Sequence, residues 1–351
     1  MVSNNPLTVE VTRGDMVESR HTGACVVMDS GGGIVRAWGD ADRVIYPRSA
    51  IKPVQALALI ETGAADAYQL SDAQLALAAA SHGATPEHVE AVEEWLGGLG
   101  LGPEDLECGG TEPMDKAAAD ALVRAGEKPR PVHNNCSGKH SGFLTTAKHL
   151  GEPTKGYLQP GHPVQDRMLA ILTEMGRTDL SRAPRGVDGC GIPVIGMPLA
   201  AMALAMARMA DPKDLAPERA EAAKRVFQAM TAHPRLVAGP GRFCTLAMEE
   251  GGGAFAIKTG AEGCYAGILP ELGLGVALKI DDGAKRASEA AMAAVLTVLG
   301  VRDRKPETPV LNAAGEKVGV IRMGPDWEGW EWPNPPHPGA CRGKAPFSFG
   351  T

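Results

Sequence analysis

Tyr46-Pro47-Arg48-Ser49-Ala50-Ile51-Lys52-Pro53-Val54-Gln55 puts a serine and a lysine three residues apart, just ahead of the apolar run Ala56-Leu57-Ala58-Leu59-Ile60. Residues i and i+3 of a helical turn share a face. The spacing therefore predicts a Ser49 hydroxyl within hydrogen-bond reach of the Lys52 amine. A serine hydroxyl becomes a nucleophile when a base takes its proton, and a neutral lysine can be that base. Lysine ordinarily titrates near 10.4, so working near pH 7 needs a drop of roughly three units, about 4 kcal/mol. Burial or a second cation could supply it. The bland reading of the same residues is a helix-capping serine followed by a solvated lysine, so the rest of the chain has to decide between them.

Two further signals follow in order: Ser81-His82-Gly83 after an Ala/Leu helix, and Lys258-Thr259-Gly260 at the end of a strand-like segment. The succession S-x-x-K, S-D-N, K-T-G belongs to class A β-lactamases and penicillin-binding proteins. Here the middle element departs from it, with histidine in place of aspartate. Each triplet is cheap, but all three in order, each in suitable local structure, are much more specific.

The layout agrees. Leu7 to Thr12 and Met16 to His21 alternate around Arg13-Gly14-Asp15 and read as a hairpin; Ala24 to Asp29 and Ile34 to Trp38 read as another. From Ser49 to about Pro234 the period is helical. Ser71-Asp72-Ala73-Gln74 is a capping box, and helices are expected over 86–99, 117–124, 140–150, 163–175, 199–209 and 217–232. Strand signals return after Gly239-Pro240-Gly241 at 254–259, 264–268 and 274–280, followed by a helix over 284–299 and a hairpin over 310–323. The Trp- and Pro-rich tail from Pro325 is expected to wrap the surface. The predicted fold class is α+β: one antiparallel sheet built from both chain ends (about 1–48 and 239–323), with an inserted helical subdomain (about 49–235), in a single intertwined domain. The default pocket lies where the two meet.

Composition narrows the function. The 351 residues are 44% apolar and 22% charged, ordinary for a globular protein. Net charge is −7 with no Lys/Arg block, so neither nucleic acid nor an anionic membrane is an expected partner. The N-terminus lacks the apolar core of a signal peptide and no run is long enough to span a bilayer, so a cytoplasmic location is expected. The 7 cysteines include no CxxC, which fits free thiols, packing residues or metal ligands better than a disulfide framework. Cys136 and Cys190 are 54 positions apart, a spacing that does not define a metal site. Around them, however, Asn134, Asn135, Ser137 and His140 form an unusually polar segment between helices.

Together, Tyr46-Pro-Arg-Ser-Ala-Ile-Lys-Pro, Ala80-Ser-His-Gly, Asn135-Cys-Ser-Gly-Lys-His-Ser-Gly and Val187-Asp-Gly-Cys-Gly-Ile-Pro resemble the Rhizobium etli type L-asparaginases, the asparaginase class with a serine β-lactamase-like fold. The resemblance runs from the first strands to about residue 300. It implies hydrolysis of L-asparagine to L-aspartate and ammonia by two Ser-Lys pairs, Ser49 with Lys52 and Ser81 with Lys258. It also implies a zinc-type metal on Cys136, Lys139 and Cys190 with Asp188 beside it, a pocket cysteine at Cys244, and a homodimer. Arg48, His140 and Asn135 are expected to bind substrate or order the pocket. The expected mechanism has Ser49 attack the side-chain amide while Lys52 takes its proton and Ser81 with Lys258 relays a proton to the leaving ammonia; the exchange of roles between the serines stays open. So do a glutaminase, a penicillin-recognising acyl hydrolase and a non-catalytic amino-acid or metal-binding protein.

Overall fold

The computed structural model describes residues 2–3, 6–303 and 307–327; the expectation for the tail beyond residue 327 lies outside them. Nine strands form the main sheet: β1 (Val2–Ser3), β2 (Leu7–Arg13), β3 (Met16–Asp29), β4 (Ile34–Trp38), β5 (Ala256–Thr259), β6 (Cys264–Leu269), β7 (Leu274–Ile280), β8 (Thr308–Leu311) and β9 (Lys317–Met323). The order is β8-β9-β2-β3-β7-β6-β5, with β4 paired to β3 and the short β1 parallel to β4. Every other pairing is antiparallel. Strands from the two chain ends meet at β3–β7, where Val26 faces Ala277, and at β9–β2. The α+β sheet built from both termini is therefore present as expected, with the helices of the middle of the chain inserted between β4 and β5.

One expectation is revised. The segments at 16–21 and 24–29 form a single strand, because β3 changes partner along its length: residues 16–23 pair with β2 and 25–28 with β4, while the other edge pairs with β7 throughout 23–29. Gly23 sits at the changeover, where a Cβ would lie 2.3 Å from the Lys279 carbonyl oxygen, so the crossing needs glycine. The sheet's middle is covered on both faces. Every residue of β6 is buried, which an alternating strand shows only between two layers. Helices Leu199–Ala210 and Lys285–Val298 both pack against it.

The first of these helices approaches unusually closely. A Cβ on Gly275 would fall 2.1 Å from Ala207 N and 2.3 Å from the Ala203 carbonyl oxygen, both helix backbone. Backbone cannot yield as a side chain would, so Gly275→Ala should destabilise by at least the ~1–3 kcal/mol typical of overpacking. Chemical denaturation measures this, and an unchanged midpoint would contradict the packing.

In the helical layer, Ser71 caps helix Asp72–Ala78 with the expected reciprocal box: Gln74 N–H donates to Ser71 Oγ, and Ser71 N–H to Gln74 Oε1 at 2.8 Å. Helix Ser137–His149 is buried over eleven of its thirteen residues and lies directly on Asp72–Ala78. A Cβ at Gly138 would sit 2.4 Å from the Leu77 carbonyl oxygen, so glycine sets that spacing. Several short elements carry no clear sequence signal. Phe243–Gly251 is a helix where strand was expected to resume, and Arg185–Val187 pairs with Pro193–Ile195 in a small hairpin.

Candidate active site

Ser81 follows the end of helix Asp72–Ala78 and is held by its backbone from both sides. Its N–H donates to the Val237 carbonyl at 2.9 Å, and Arg242 Nη1 donates to its carbonyl at 2.6 Å. The next residue, His82, donates its backbone N–H to the Asn135 carbonyl at 3.2 Å. Two lysines converge on the hydroxyl so fixed. Lys258 Nζ lies 2.7 Å and Lys52 Nζ 3.0 Å from Ser81 Oγ. Lys52 also donates to the Ala80 carbonyl, and Lys258 to the Thr259 carbonyl at 2.7 Å. Lys258 comes from the end of β5, and Lys52 from the first turn of Lys52–Gln55.

The Ser49 hydroxyl does not pair with the Lys52 amine as the i+3 spacing predicts, although both residues line one cleft. Arg48–Ile51 is a 3-10 turn and Lys52 begins the next helical turn. Among the described residues the Ser49 hydroxyl makes no hydrogen bond, and the Lys52 amine turns instead to Ser81. Arg48 adopts φ +50°, a left-handed conformation that costs a non-glycine residue about 1–3 kcal/mol. Its side chain grips Asp188 Oδ1 through Nε and Nη2, both at 2.8 Å. Gly260 allows this turn to abut the strand, since a Cβ there would lie 2.9 Å from Ala50 N.

Both lysines are buried at 1% exposure, so each ammonium has lost its water. Burial, with the Lys52 charge next in weight, holds Lys258 well below the ordinary lysine range. Burial also lowers Lys52, but the sulfurs of Cys136 and Cys190 partly restore it. Burial and the neighbouring ammonium act together, and Lys258 is held further below the ordinary range than Lys52.

Beside Lys52 lies a sulfur cluster. Lys139 Nζ donates to Cys190 Sγ at 3.1 Å, and the neighbouring Cys136 thiol donates to Asn135 Oδ1 at 3.1 Å. The neighbouring Cys136 and the Lys139 charge pull the Cys190 thiol down to about 5 despite burial, while Cys136 is pushed up to about 12. Burial opposes the Lys139 charge, but the two sulfurs outweigh it and raise its pKa. For Asp188, burial would raise the carboxyl, yet Lys139 and Arg48 hold it below its usual range. The hairpin Arg185–Val187/Pro193–Ile195 presents the Asp188–Cys190 turn to the helix carrying Cys136 and Lys139. No group of three His, Cys, Asp or Glu residues among those described comes together as a metal site. Two sulfurs and one amine nitrogen do meet, and such soft-to-borderline donors suit zinc provided that Lys139 binds as the neutral amine. Arg48, Ser49, Lys52, Lys139, Asp188 and Gln165 line one narrow cleft, and Ser81, bonded to Lys52, is buried at 4% exposure.

The remaining expected residues surround this centre. The His82 Nδ1 accepts from Ala84 N–H at 3.1 Å, so its Nε2–H donates to Ser137 Oγ at 2.8 Å. Burial keeps His82 neutral, with His88 and Lys52 adding to the effect. Tyr157 OH accepts from Glu107 N–H at 2.9 Å and gives its own proton to His140 Nδ1 at 2.8 Å. This leaves His140 Nε2 buried without a partner. The Cys244 thiol pairs with Tyr265 OH at 2.8 Å, within electrostatic reach of Lys258. Asn135 Nδ2 reaches the Met114 thioether at 3.3 Å. Arg242 and Tyr157 were not singled out from sequence. Nothing in their local spacing marks them, and only contacts across 161 and 17 residues reveal them.

Fold and site together define an α+β protein with a buried serine between two lysines, placed where a two-ended sheet meets its helical insert. The chain belongs to the L-asparaginase II family, a family of hydrolases, whose sequence profile matches residues 9–323. No curated protein matches it significantly by sequence. Among solved structures it is similar to native Mglu at 15% identity and a TM-score of 0.42, over 78% of this chain and 64% of that one. A second Mglu structure gives 16% identity and 0.45, over 80% and 67%. A beta-lactamase from Mycobacterium bovis gives 14% identity and 0.37, over 78% and 94%. The chain thus spans about two-thirds of the length of the Mglu structures. None of its described helices is long and apolar enough to cross a membrane.

Proposed function

We propose that the protein is an L-asparaginase that hydrolyses L-asparagine to L-aspartate and ammonia, with Ser81 as the nucleophile and Lys258 as its base. The observation that carries this reading is the convergence of two lysine nitrogens on one serine hydroxyl, 2.7 and 3.0 Å away. Lys52, the more readily protonated, donates to Ser81 Oγ. Lys258, the more readily neutral, accepts the Ser81 proton through its lone pair while one N–H stays on the Thr259 carbonyl.

Ser81 Oγ then attacks the side-chain amide carbon, its proton passes to Lys258, and the carbonyl π electrons move to oxygen. Collapse of the tetrahedral adduct breaks the C–N bond as Lys258 returns the proton to the departing nitrogen, which leaves as ammonia. Water attacks the resulting ester with Lys258 again as base, and release of aspartate restores the Ser81 hydroxyl. Lys52 supplies fixed positive charge as the serine oxygen becomes anionic, in a site where low dielectric makes that charge effective. Arg48 and Asp188 brace the cleft wall against each other, and Ser49 lies in that wall. Cys136, Cys190 and Lys139 would hold a zinc ion, which would supply Lewis-acid polarisation and orient substrate polar groups.

A second reading makes Ser49 the nucleophile and Ser81 the relay; it is favoured by Ser49 itself lining the cleft. Ammonia release from asparagine and glutamine, with and without a chelator, tests the activity and its preference. The sulfur cluster predicts about one zinc per chain by elemental analysis of protein purified without a chelator. Cys190→Ser should reduce that by at least about tenfold under the same dialysis, since it removes the residue held as thiolate. Equal zinc in both proteins would sink this assignment.

A further inference from the structure

Arg242 differs from Arg48 in what it is bonded to. The Arg48 guanidinium is already neutralised by Asp188. Arg242 is placed beside Ser81 and spends its Nη1 on carbonyl groups, donating to the Ser81 carbonyl at 2.6 Å and the Ala238 carbonyl at 3.1 Å. Among the described residues its Nε and Nη2 have no acceptor and it forms no ion pair. Its Nη1 also lies 4.0 Å from the Met114 sulfur, a weak acceptor. The same sulfur is the acceptor offered to Asn135 Nδ2, at 3.3 Å. Asn135 is held in turn by its carbonyl, which accepts from His82 N–H in the Ser81 turn. Nη1 thus uses both its hydrogens on carbonyls, which leaves the Arg242 Nε and Nη2 donors open beside an Asn135 amide that rests on a poor acceptor, in a side chain 53% exposed that can leave.

We infer that Arg242 and Asn135 form the receptor for the α-carboxylate of the substrate, with the Met114 side chain covering it until a carboxylate arrives. This rests on the asparaginase reading and gives that site its end-group specificity. A carboxylate offers two oxygens where the thioether offers one weak lone pair, and a guanidinium–carboxylate pair is the stronger, charge-assisted bond. In asparagine only two carbon atoms separate the amide carbon from the carboxylate carbon. A receptor anchored on the Ser81 carbonyl is at the scale of that molecule, and a longer substrate would have to fold to use both. The chemistry recognised is thus a short amino acid with a free α-carboxylate; peptides amidated or extended at that carboxylate are excluded.

The test compares two ligands that differ only in this group, L-aspartate and β-alanine, by calorimetric titration of the full chain and of the Arg242→Gln and Arg242→Lys variants. Arg242→Gln should bind L-aspartate about 10- to 100-fold more weakly, the range for losing charged hydrogen bonds. β-Alanine, which lacks the α-carboxylate, should change by less than about threefold. Arg242→Lys, which keeps the charge without the fork, should lie between. In turnover, the same substitution should raise KM for asparagine far more than it lowers kcat. Equal losses for both ligands would mark Arg242 as a purely structural brace of the Ser81 turn. An unchanged L-aspartate affinity, or no L-aspartate binding by the parent, would also overturn the proposal. Failure of the asparaginase reading shows separately, as aspartate binding without ammonia release by the parent protein.

Discussion

Ser81→Ala should lower ammonia release from asparagine by at least about ten-thousand-fold, as removal of a sole nucleophile does in other serine enzymes. The size follows from the arrangement around the hydroxyl. Among the described residues Ser81 Oγ is the one atom to which both Lys52 and Lys258 hydrogen-bond, and without it the two lysines face each other with no group to transfer an acyl chain. Ser49→Ala should cost much less, about 10- to 100-fold through altered cleft shape, because among the described residues no base contacts the Ser49 hydroxyl. Steady-state ammonia assays give the ratio. Mass spectrometry of an acyl-enzyme trapped with a slowly deacylating ester identifies the modified peptide. Modification at Ser49, with activity surviving in Ser81→Ala, would reverse the roles.

Lys258→Met should be nearly as severe, at about a thousand-fold or more, since it removes the base and leaves Lys52 as a cation unable to accept the proton. The pH profile of the parent enzyme follows from the same pair. Activity needs Lys258 neutral and Lys52 charged. The rate should rise as pH passes upward through the Lys258 pKa, which burial and the Lys52 charge hold well below 10.5, and fall as Lys52 in turn loses its proton. The two limbs belong to the coupled pair.

Stability carries the opposite face of this tuning. Between the folded and unfolded pKa values of Lys258, the unfolded chain binds a proton that the folded chain does not, so this site makes stability increase with pH across that window. Below the folded value the penalty is constant, and above the unfolded value it is gone. Lys258→Met abolishes the dependence, so the parent should gain thermal stability relative to the variant as pH is raised from 7 toward 10. Parallel melting curves at each pH measure it, and a constant gap between the two proteins would show that Lys258 stays protonated in the fold.

Much of the frame was legible because it depends on local chemistry. The capping box at Ser71, the hairpin turn at Gly14 and the return of strands after residue 254 all follow from turn residues and alternation within a few positions. The helix Phe243–Gly251 was missed because it is short, follows Gly239-Pro240-Gly241 and precedes a true strand, so its nine residues carry too few turns to declare a period. The changeover in β3 was missed for a different reason: nothing within the strand says which segment of a distant chain end will lie beside it.

The four motifs named the residues of the site but not which of them face each other. Sequence by itself determined that two serines and two lysines, a pair of cysteines with Lys139, and a sheet drawn from both chain ends would be present, because motif order and periodicity are written along the chain. Only the tertiary structure decided that Lys52 turns from its neighbour Ser49 to Ser81, 29 residues on. The 3-10 turn at Arg48–Ile51 still puts i and i+3 on one face, so a shared face alone does not choose the lysine's partner. A buried ammonium must find oxygen acceptors, and the Ala80 carbonyl and Ser81 hydroxyl are where the packing of two separate helices puts them. The same packing set the lysines' surroundings, burying both amines and bringing the sulfurs of Cys136 and Cys190 to bear on Lys52, whose charge they partly restore. It also brought Arg242, far along the chain and unmarked by any motif, to the Ser81 carbonyl.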